Sequence, residues 1–245
     1  MIHASRGIVL NHIKYKENSI IVNIYTEELG RQAYVVNRVR TSKSKGNTVL
    51  LQPLTLLDMQ VYHRPKAELH RIKDFKVAHP QVSIPFQQDK RTIAFFLTEM
   101  MYKVLREEEK NEALFAFIYE AIMVFDADID GNHNFHLFFL FQLSRFLGFG
   151  PASNDSVHNS HFDLLNGNFI KQEPTHGYFV HGDILKYWEQ LFKLQISDLS
   201  QLQMSSSVRN DILNALILFY QLHLDGLGEF KTLSVLRQLY NNPDR

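Results

Sequence analysis

Basic side chains interleaved with tyrosines are the feature of this sequence that points most directly to chemistry. Single-stranded nucleic acid is bound by cations that neutralise phosphates and by aromatic rings on which bases stack. The ten candidate cations are Lys14, Lys16, Arg31, Arg38, Arg40, Lys43, Lys45, Arg64, Lys66 and Arg71. Among the interleaved Tyr15, Tyr25, Tyr34 and Tyr62, we take Tyr25 and Tyr34 as stacking candidates. Tyrosine also covers barrel cores, so a purely structural role is the alternative.

The charge of the chain is unevenly distributed. Residues 1–80 contain 13 Lys and Arg against 6 Asp and Glu, a net charge of +7. The remaining 13 basic and 20 acidic residues give residues 81–245 a net charge of −7. A basic amino-terminal third attracts polyanions, whereas an acidic remainder repels DNA and is better suited to holding proteins.

Histidines in the middle of the chain raise the possibility of a metal site. Two pairs share a three-residue spacing: His133 with His136, and His158 with His161. Such a spacing can place two imidazoles on one face, but a metal needs a third ligand. Asp130 or Asp163 could serve, although no spacing fixes either. The alternative is that these histidines are exposed or hydrogen-bonded, and we predict no metal.

No motif of a common enzyme class is present. The sequence has no Gly-rich phosphate loop, no Gly-x-Ser-x-Gly elbow and no His-Glu-x-x-His pair. It also has no cysteine, which excludes disulfides and thiolate chemistry. We therefore predict a non-enzymatic protein without a cofactor. No apolar run reaches the about 18 residues of a membrane span, and no signal-peptide core is seen, so we expect a cytoplasmic protein.

The elements that must position the basic residues are strands. Period-two alternation, clearest at Ile20, Val22 and Ile24, predicts short strands at 7–12, 20–25, 31–36, 50–62 and 69–77. Residues 27–30 form the predicted turn of a hairpin, and the polar, basic residues 41–47 form an exposed loop. Five short strands in under 80 residues favour a small closed barrel, because closure removes exposed edges.

Helical spacing of apolar residues replaces this alternation after Pro80. It predicts helices at 89–109, 112–125, 135–147, 184–194, 206–224 and 232–240. Asp89, Asp183 and either Ser206 or Ser207 are the expected caps. Residues 152–181 are polar, with a hairpin turn predicted at Asn166-Gly167. The predicted division is a barrel domain at 1–80 and a helical domain at 81–245, with a small lobe at 152–181.

The helix predicted at 135–147 is apolar almost all round. Such a helix is normally central to a bundle, so most of its phenylalanines are expected in the core. The alternative is that part of the cluster forms a surface groove for a short apolar peptide. The candidates for that groove are Phe138, Phe141 and Arg145.

Several segments, taken in order, resemble the bacterial RecO family. In the amino-terminal block these are Ile-Val-Leu at 8–10, Tyr-Thr at 25–26 followed by Gly30, the basic loop at 38–44, Leu-Gln-Pro-Leu at 51–54, and Glu-Leu-His-Arg-Ile-Lys at 68–73. Later come Leu-Gly-Phe-Gly at 147–150, then Arg209, Tyr220, His223, Gly226 and Phe-Lys-Thr at 230–232. Each segment is weak alone, but their order and spacing together are fairly specific.

The resemblance implies a fold and a function. The fold is α+β, an amino-terminal OB-fold followed by a helical bundle with a small inserted lobe. The function is DNA repair and recombination mediation: binding of single- and double-stranded DNA, annealing of complementary strands, and loading of RecA together with RecR. A further implied partner is the carboxy-terminal tail of single-stranded-DNA-binding protein. Residues alone leave two alternatives, an OB-type adaptor for RNA or protein and a histidine-based metalloenzyme.

The lobe at 152–181 departs from the family pattern. Many family members carry four cysteines there as a zinc site, and this chain has none. A structural zinc site of that type is therefore excluded. Apolar residues must hold the lobe instead, and the candidates are Phe162, Leu164, Phe169 and Ile170.

Overall fold

Five strands in the first 79 residues close into a barrel, which confirms the predicted OB-like architecture. The structure is a computed structural model that describes residues 2–37, 49–64, 67–127, 132–152 and 159–241. The strands are β1 (Ile2–Lys16), β2 (Ser19–Thr26), β3 (Gly30–Asn37), β4 (Leu56–Tyr62) and β5 (His70–His79). They are ordered β1-β2-β3-β5-β4, and β4 pairs with β1 to close the ring. The β3–β5 pair is parallel and the other pairs are antiparallel.

The barrel core follows from the alternation in the sequence. Ile20, Val22 and Ile24 all point inward, as predicted. The predicted turn at 27–30 joins β2 to β3, and Gly30 is required there because its φ of +62° is left-handed. A Cβ at Gly30 would also come within 2.4 Å of the Glu107 carbonyl oxygen.

The strand predicted at 50–62 starts later than expected, at Leu56. Leu54 adopts a positive φ of 63°, which interrupts an extended backbone. The Leu54 N–H donates to the Val9 carbonyl oxygen, and the Val9 N–H donates to the Thr55 carbonyl oxygen. These two hydrogen bonds anchor a turn to β1, so apolar composition alone overestimated the strand.

Two helices complete the first compact unit, Met1–Ala127: α1 (Gln88–Val104) and α2 (Glu112–Asp126). Buried Asp126 fixes the connection to the barrel, since its carboxylate accepts N–H bonds from Val82, Ser83 and Ile84 at 2.7–3.0 Å. The unit therefore includes two helices that follow the predicted boundary at residue 80. The predicted cap Asp89 was wrong: Gln87 precedes α1, and Asp89 lies inside its first turn.

The second compact unit, Asp128–Arg245, contains helices and a small sheet. Its elements are α3 (Phe135–Phe146), β6 (His161–Asp163), β7 (Asn168–Ile170), β8 (Phe179–His181), α4 (Gly182–Lys193), α5 (Ser206–His223) and α6 (Leu233–Asn241). Short 3-10 helices lie at Asn132–Asn134 and Ile196–Gln201. Two predicted caps were displaced, because His181 precedes α4 and the Ser205 hydroxyl accepts the Val208 N–H of α5.

The lobe is a three-stranded sheet in the order β7-β6-β8, with the predicted turn at Asn166-Gly167 between β6 and β7. Phe162 is its centre, with ring centres 4.9 Å from Phe169, 5.1 Å from Trp188 and 5.9 Å from Phe219. Phe162, Leu164 and Phe169 are buried as expected. Aromatic packing thus holds the lobe to α4 and α5. None of the helices in the described part of the chain has the length and apolar character needed to cross a bilayer.

Candidate nucleic-acid interface

A groove with a volume of about 640 Å³ lies where the ends of β1, β3 and β4 meet the start of β5. We call it the cationic groove. Its lining includes Tyr15, Lys16, Asn37, Tyr62, Arg64, His70 and Arg71. The β-sheet register explains this meeting, since Tyr34 and Val35 of β3 pair in parallel with His70 and Arg71 of β5. Residues distant in sequence are therefore brought to one concave surface.

Three cations of the candidate set line this groove: Lys16, Arg64 and Arg71. All three are exposed. No carboxylate lies in the described lining, so the groove has three cations against no anion, a local charge of +3. Within the described residues, none of the three forms an ion pair with an Asp or Glu. Unpaired cations on a concave surface produce the focused positive potential that phosphates seek.

The wall behind the cations is neutral. His70 is only 4% exposed, and its ring stacks on that of His63 at 4.6 Å between centres. Burial is the main cause that lowers the pKa of His70, and His63 lowers it further, while Glu108 opposes the shift. A long 3.5 Å hydrogen bond from the Arg64 N–H to His70 Nδ1 also suits a neutral ring. The positive charge of the groove therefore comes from its lysine and arginines.

The two stacking candidates chosen from the sequence were wrong. Tyr25 is 3% exposed and lies 6.0 Å from Phe115 of α2 between ring centres, and burial raises its pKa to about 12. Tyr34 is fully buried in the barrel core, and burial raises its pKa well above the ordinary value. Neither ring can reach a base.

The other two interleaved tyrosines are the ones that reach solvent. Tyr15 is 46% exposed and Tyr62 is 44% exposed, and both line the cationic groove. Period-two counting could have placed Tyr34 inward with Val36, although Ala33 and Val35 make the other face of β3 partly apolar as well. The burial of Tyr25 depends on α2, which the sequence of the barrel does not reveal.

The remaining candidate cations divide into three groups. Lys14 is exposed on β1 but does not line the groove. Arg31 is held by α1, because it donates to the Tyr102 carbonyl oxygen at 2.7 Å and lies 5.0 Å over the Tyr102 ring. The other five lie outside the described residues: Arg38, Arg40, Lys43, Lys45 and Lys66.

A second groove of about 500 Å³ on the same barrel has a different charge balance. We call it the mixed-charge groove. It contains Arg6 and Lys76 together with Glu27, Asp58 and Asp74, which is two cations against three carboxylates. Arg6 donates two hydrogen bonds to Glu27, at 2.7 and 2.9 Å, and Lys76 lies 3.5 Å from Asp58. Its cations are thus neutralised within the fold.

Comparison with known proteins identifies the family. The profile named Recombination protein O N terminal matches residues 1–81, and Recombination protein O C terminal matches residues 87–234. The chain belongs to the RecO family. Proteins named DNA repair protein RecO from Phocaeicola vulgatus and Bacteroides fragilis are each 36% identical to it, over 98% of the chain and 100% of each relative. Another from Flavobacterium psychrophilum is 33% identical over 97% of the chain and 98% of that relative.

Family membership confirms the resemblance seen in the sequence and supports a role in DNA repair and recombination. The cationic groove lies within the residues matched by the amino-terminal profile. The first unit of this RecO-family chain therefore carries the concave, unpaired positive surface, and the second unit must be considered by itself.

Two of the three residues considered for a peptide groove in the second unit, Phe138 and Phe141, are buried and cannot line a surface groove. Phe138 is 5% exposed and Phe141 is fully buried, because α3 is the central helix of its unit. Arg145 is exposed and donates to the Gln142 side chain and the Phe192 carbonyl oxygen, each at 3.1 Å, with its guanidinium 4.7 Å over the Phe192 ring. The expected core role of the helix is confirmed.

The histidines of the second unit have structural surroundings. His136 is fully buried, and burial, followed by Arg209 and His133, lowers its pKa to about 3. Asp163 accepts N–H bonds from Leu165 and Asn166 in the lobe turn, at 2.8 and 3.0 Å. Across the described ranges, no group of three or more His, Cys, Asp or Glu is arranged to hold a metal. Asp130 and His158 lie outside those ranges.

Proposed function

We propose that this chain is a DNA repair and recombination mediator whose barrel binds single- and double-stranded DNA at the cationic groove. The observation that carries the proposal is one groove that holds two exposed tyrosines and three cations, Lys16, Arg64 and Arg71, none of which has an ion-pair partner among the described residues. Cations neutralise phosphates of any sequence, so the binding is sequence-independent and falls as salt rises. The candidate cations Arg38, Arg40, Lys43 and Lys45, which lie outside the described residues, contribute further phosphate contacts in this proposal.

The resemblance to the RecO family supports a finer proposal. The chain anneals complementary strands and, with RecR, helps to load RecA onto DNA coated with single-stranded-DNA-binding protein. It acts without catalysis and without a cofactor, in association with the nucleoid. The acidic helical half holds proteins, and Arg145 remains the candidate for contacting the acidic tail of single-stranded-DNA-binding protein. Its charge suits carboxylates.

The test is annealing of complementary oligonucleotides coated with single-stranded-DNA-binding protein. We expect the full-length protein to accelerate annealing, and acceleration to fall when Arg38, Arg40 and Lys43 are reversed to glutamate. That variant should lose affinity for single strands and duplex together, because all three charges act on phosphates. If the wild-type protein does not accelerate annealing, the proposed function is wrong. If the variant folds and binds DNA as tightly as wild type, only the assignment of the loop is wrong.

A further inference from the structure

Two pairs of an aromatic ring and a cation are built into the cationic groove. Tyr15 and Lys16 are neighbours on β1, and the Lys16 ammonium lies 5.3 Å from the centre of the Tyr15 ring. Tyr62 of β4 is directly opposite Arg71 of β5 in the antiparallel register. Directly opposite residues project from the same face of a sheet, so the two side chains lie on the same face. Each pair thus combines an apolar face with a positive charge.

These two rings are far more exposed than the other two tyrosines of the barrel. Tyr25 and Tyr34, in the same barrel, are 3% and 0% exposed, whereas Tyr15 and Tyr62 are 46% and 44% exposed. Within the described residues, no hydrogen bond holds either exposed ring. A concave, positively charged surface with two solvent-exposed aromatic rings matches a ligand that is both anionic and planar. A nucleotide with an unstacked base has both properties.

We infer that Tyr15 and Tyr62 make the cationic groove discriminate single strands from duplex, by stacking on unpaired bases while Lys16 and Arg71 hold the adjoining phosphates. The inference rests on the proposed function, and it names the strand form that this groove selects. In a duplex each base face is covered by the neighbouring base pair, so only phosphates reach the groove. In a single strand both phosphates and base faces are available.

Because the rings contact bases and the cations contact phosphates, their contributions to DNA affinity can be measured separately. Removing a cation weakens both strand forms, because both carry phosphates. Removing a ring weakens only the form that presents base faces. Stacking contacts the face of a base and leaves its edge unread, so the selection is independent of sequence.

The experiment measures binding of the full-length protein to three labelled probes at one salt concentration. The probes are a single strand, a duplex of the same sequence, and a single strand of equal length with abasic sites throughout. We expect wild type to bind the intact single strand more tightly than the abasic one, by roughly 5- to 150-fold per stacked base. The Tyr15→Ala, Tyr62→Ala double variant should bind both single strands alike, while its duplex affinity stays within about twofold.

Two further variants separate stacking from folding. Tyr15→Phe with Tyr62→Phe keeps both rings and should retain the preference for intact single strands. Tyr178→Ala is the matched control, because Tyr178 is 44% exposed but belongs to the second unit, and it should leave all three affinities unchanged. Equal loss of single-strand and duplex affinity in the double alanine variant, or equal binding of intact and abasic strands by wild type, overturns the inference alone. Failure of wild type to bind any probe overturns the proposed function as well.

Discussion

The two grooves of the barrel contain similar residue types yet differ in what those residues can bind. The described lining of the cationic groove presents Lys16, Arg64 and Arg71 without a carboxylate, whereas the mixed-charge groove pairs Arg6 with Glu27 and Lys76 with Asp58. Both are concave and similar in volume, about 640 and 500 Å³. Counting basic residues therefore does not locate an interface for a polyanion. The location depends on which cations the fold leaves unpaired.

The same comparison applies to the aromatic residues beside these cations. Arg6 of the mixed-charge groove lies 5.4 Å over Phe115 and 4.8 Å over Tyr119, so these rings of α2 are already occupied by the protein's own guanidinium. In the cationic groove, the Lys16 ammonium lies 5.3 Å over the Tyr15 ring, but Tyr15 and Tyr62 remain 46% and 44% exposed. One groove thus uses cations and rings to attach a helix to the barrel, and the other leaves them for a ligand.

The largest expected difference between the two grooves is in the salt dependence of DNA binding. Replacing Lys16, Arg64 and Arg71 with glutamine should reduce the slope of log affinity against log salt by about 2 for single strands and somewhat more for duplex. Binding isotherms at several salt concentrations measure this slope. Each phosphate contact that is lost leaves that phosphate with its condensed counterions, so fewer counterions are released on binding.

The matched control lies on the same strand. Lys76 is also on β5, but its ammonium lies 3.5 Å from Asp58 in the mixed-charge groove. We expect Lys76→Gln to leave the salt slope unchanged and Arg71→Gln to reduce it by slightly less than about 1. Equal slopes for these two single variants would refute the assignment of the interface to the cationic groove.

A smaller effect is expected from Arg6→Met, which should change the free energy of unfolding but not the affinity for DNA. The variant removes two hydrogen bonds to Glu27 and the stacking on Phe115 and Tyr119. Because the Arg6 side chain is 43% exposed, we expect a loss of only about 1–2 kcal/mol in the free energy of unfolding. Denaturant titration at neutral pH measures it, and DNA affinity should be unchanged.

The pH dependence of this loss follows from Glu27. The hydrogen bond from Arg6 lowers the pKa of Glu27 below its ordinary value, although burial opposes the shift. A lowered pKa contributes stability that is present above the unfolded-state value, near about pH 4.3, and is lost as the pH falls through the folded-state value. The difference between wild type and Arg6→Met should therefore shrink below about pH 4. A difference that is constant from pH 7 to 3 would mean that the ion pair contributes nothing.

Much of the fold could be predicted because local signals decide it. Alternation at Ile20, Val22 and Ile24 fixed β2 and its inward face, and the all-round apolar character of α3 placed it in the core. Cap residues were less predictable, since Ser205 and His181 lie one or two positions from the expected residues. Several polar residues near the start of a helix can serve as its cap. Composition therefore locates the start of the helix but does not identify the capping residue.

The residue types that line the cationic groove could be singled out from the sequence, but its two exposed tyrosines could not. The sequence indicates that cations and tyrosines of the barrel work together, and Lys16, Arg64 and Arg71 were among the chosen residues. Which tyrosines are open depends on tertiary contacts that no local pattern encodes. Tyr25 is covered by α2, and Tyr62 meets Arg71 only through the β4–β5 register. The burial of Tyr25 and the position of Tyr62 therefore could not be predicted from the local sequence of the barrel.

The smallest expected effect distinguishes Tyr34, which is buried in the barrel core, from the exposed Tyr62. The Tyr34 hydroxyl is fully buried and has no hydrogen-bond partner among the described residues. Burying an unsatisfied hydroxyl costs about 1–3 kcal/mol, so Tyr34→Phe should raise the free energy of unfolding by about 1 kcal/mol while the ring keeps its packing. Tyr62→Phe should leave stability unchanged, because its hydroxyl stays in solvent. Neither variant should alter affinity for DNA. Denaturant unfolding of the two variants beside wild type measures the contrast, and a destabilised Tyr34→Phe protein would show that the buried hydroxyl is satisfied after all.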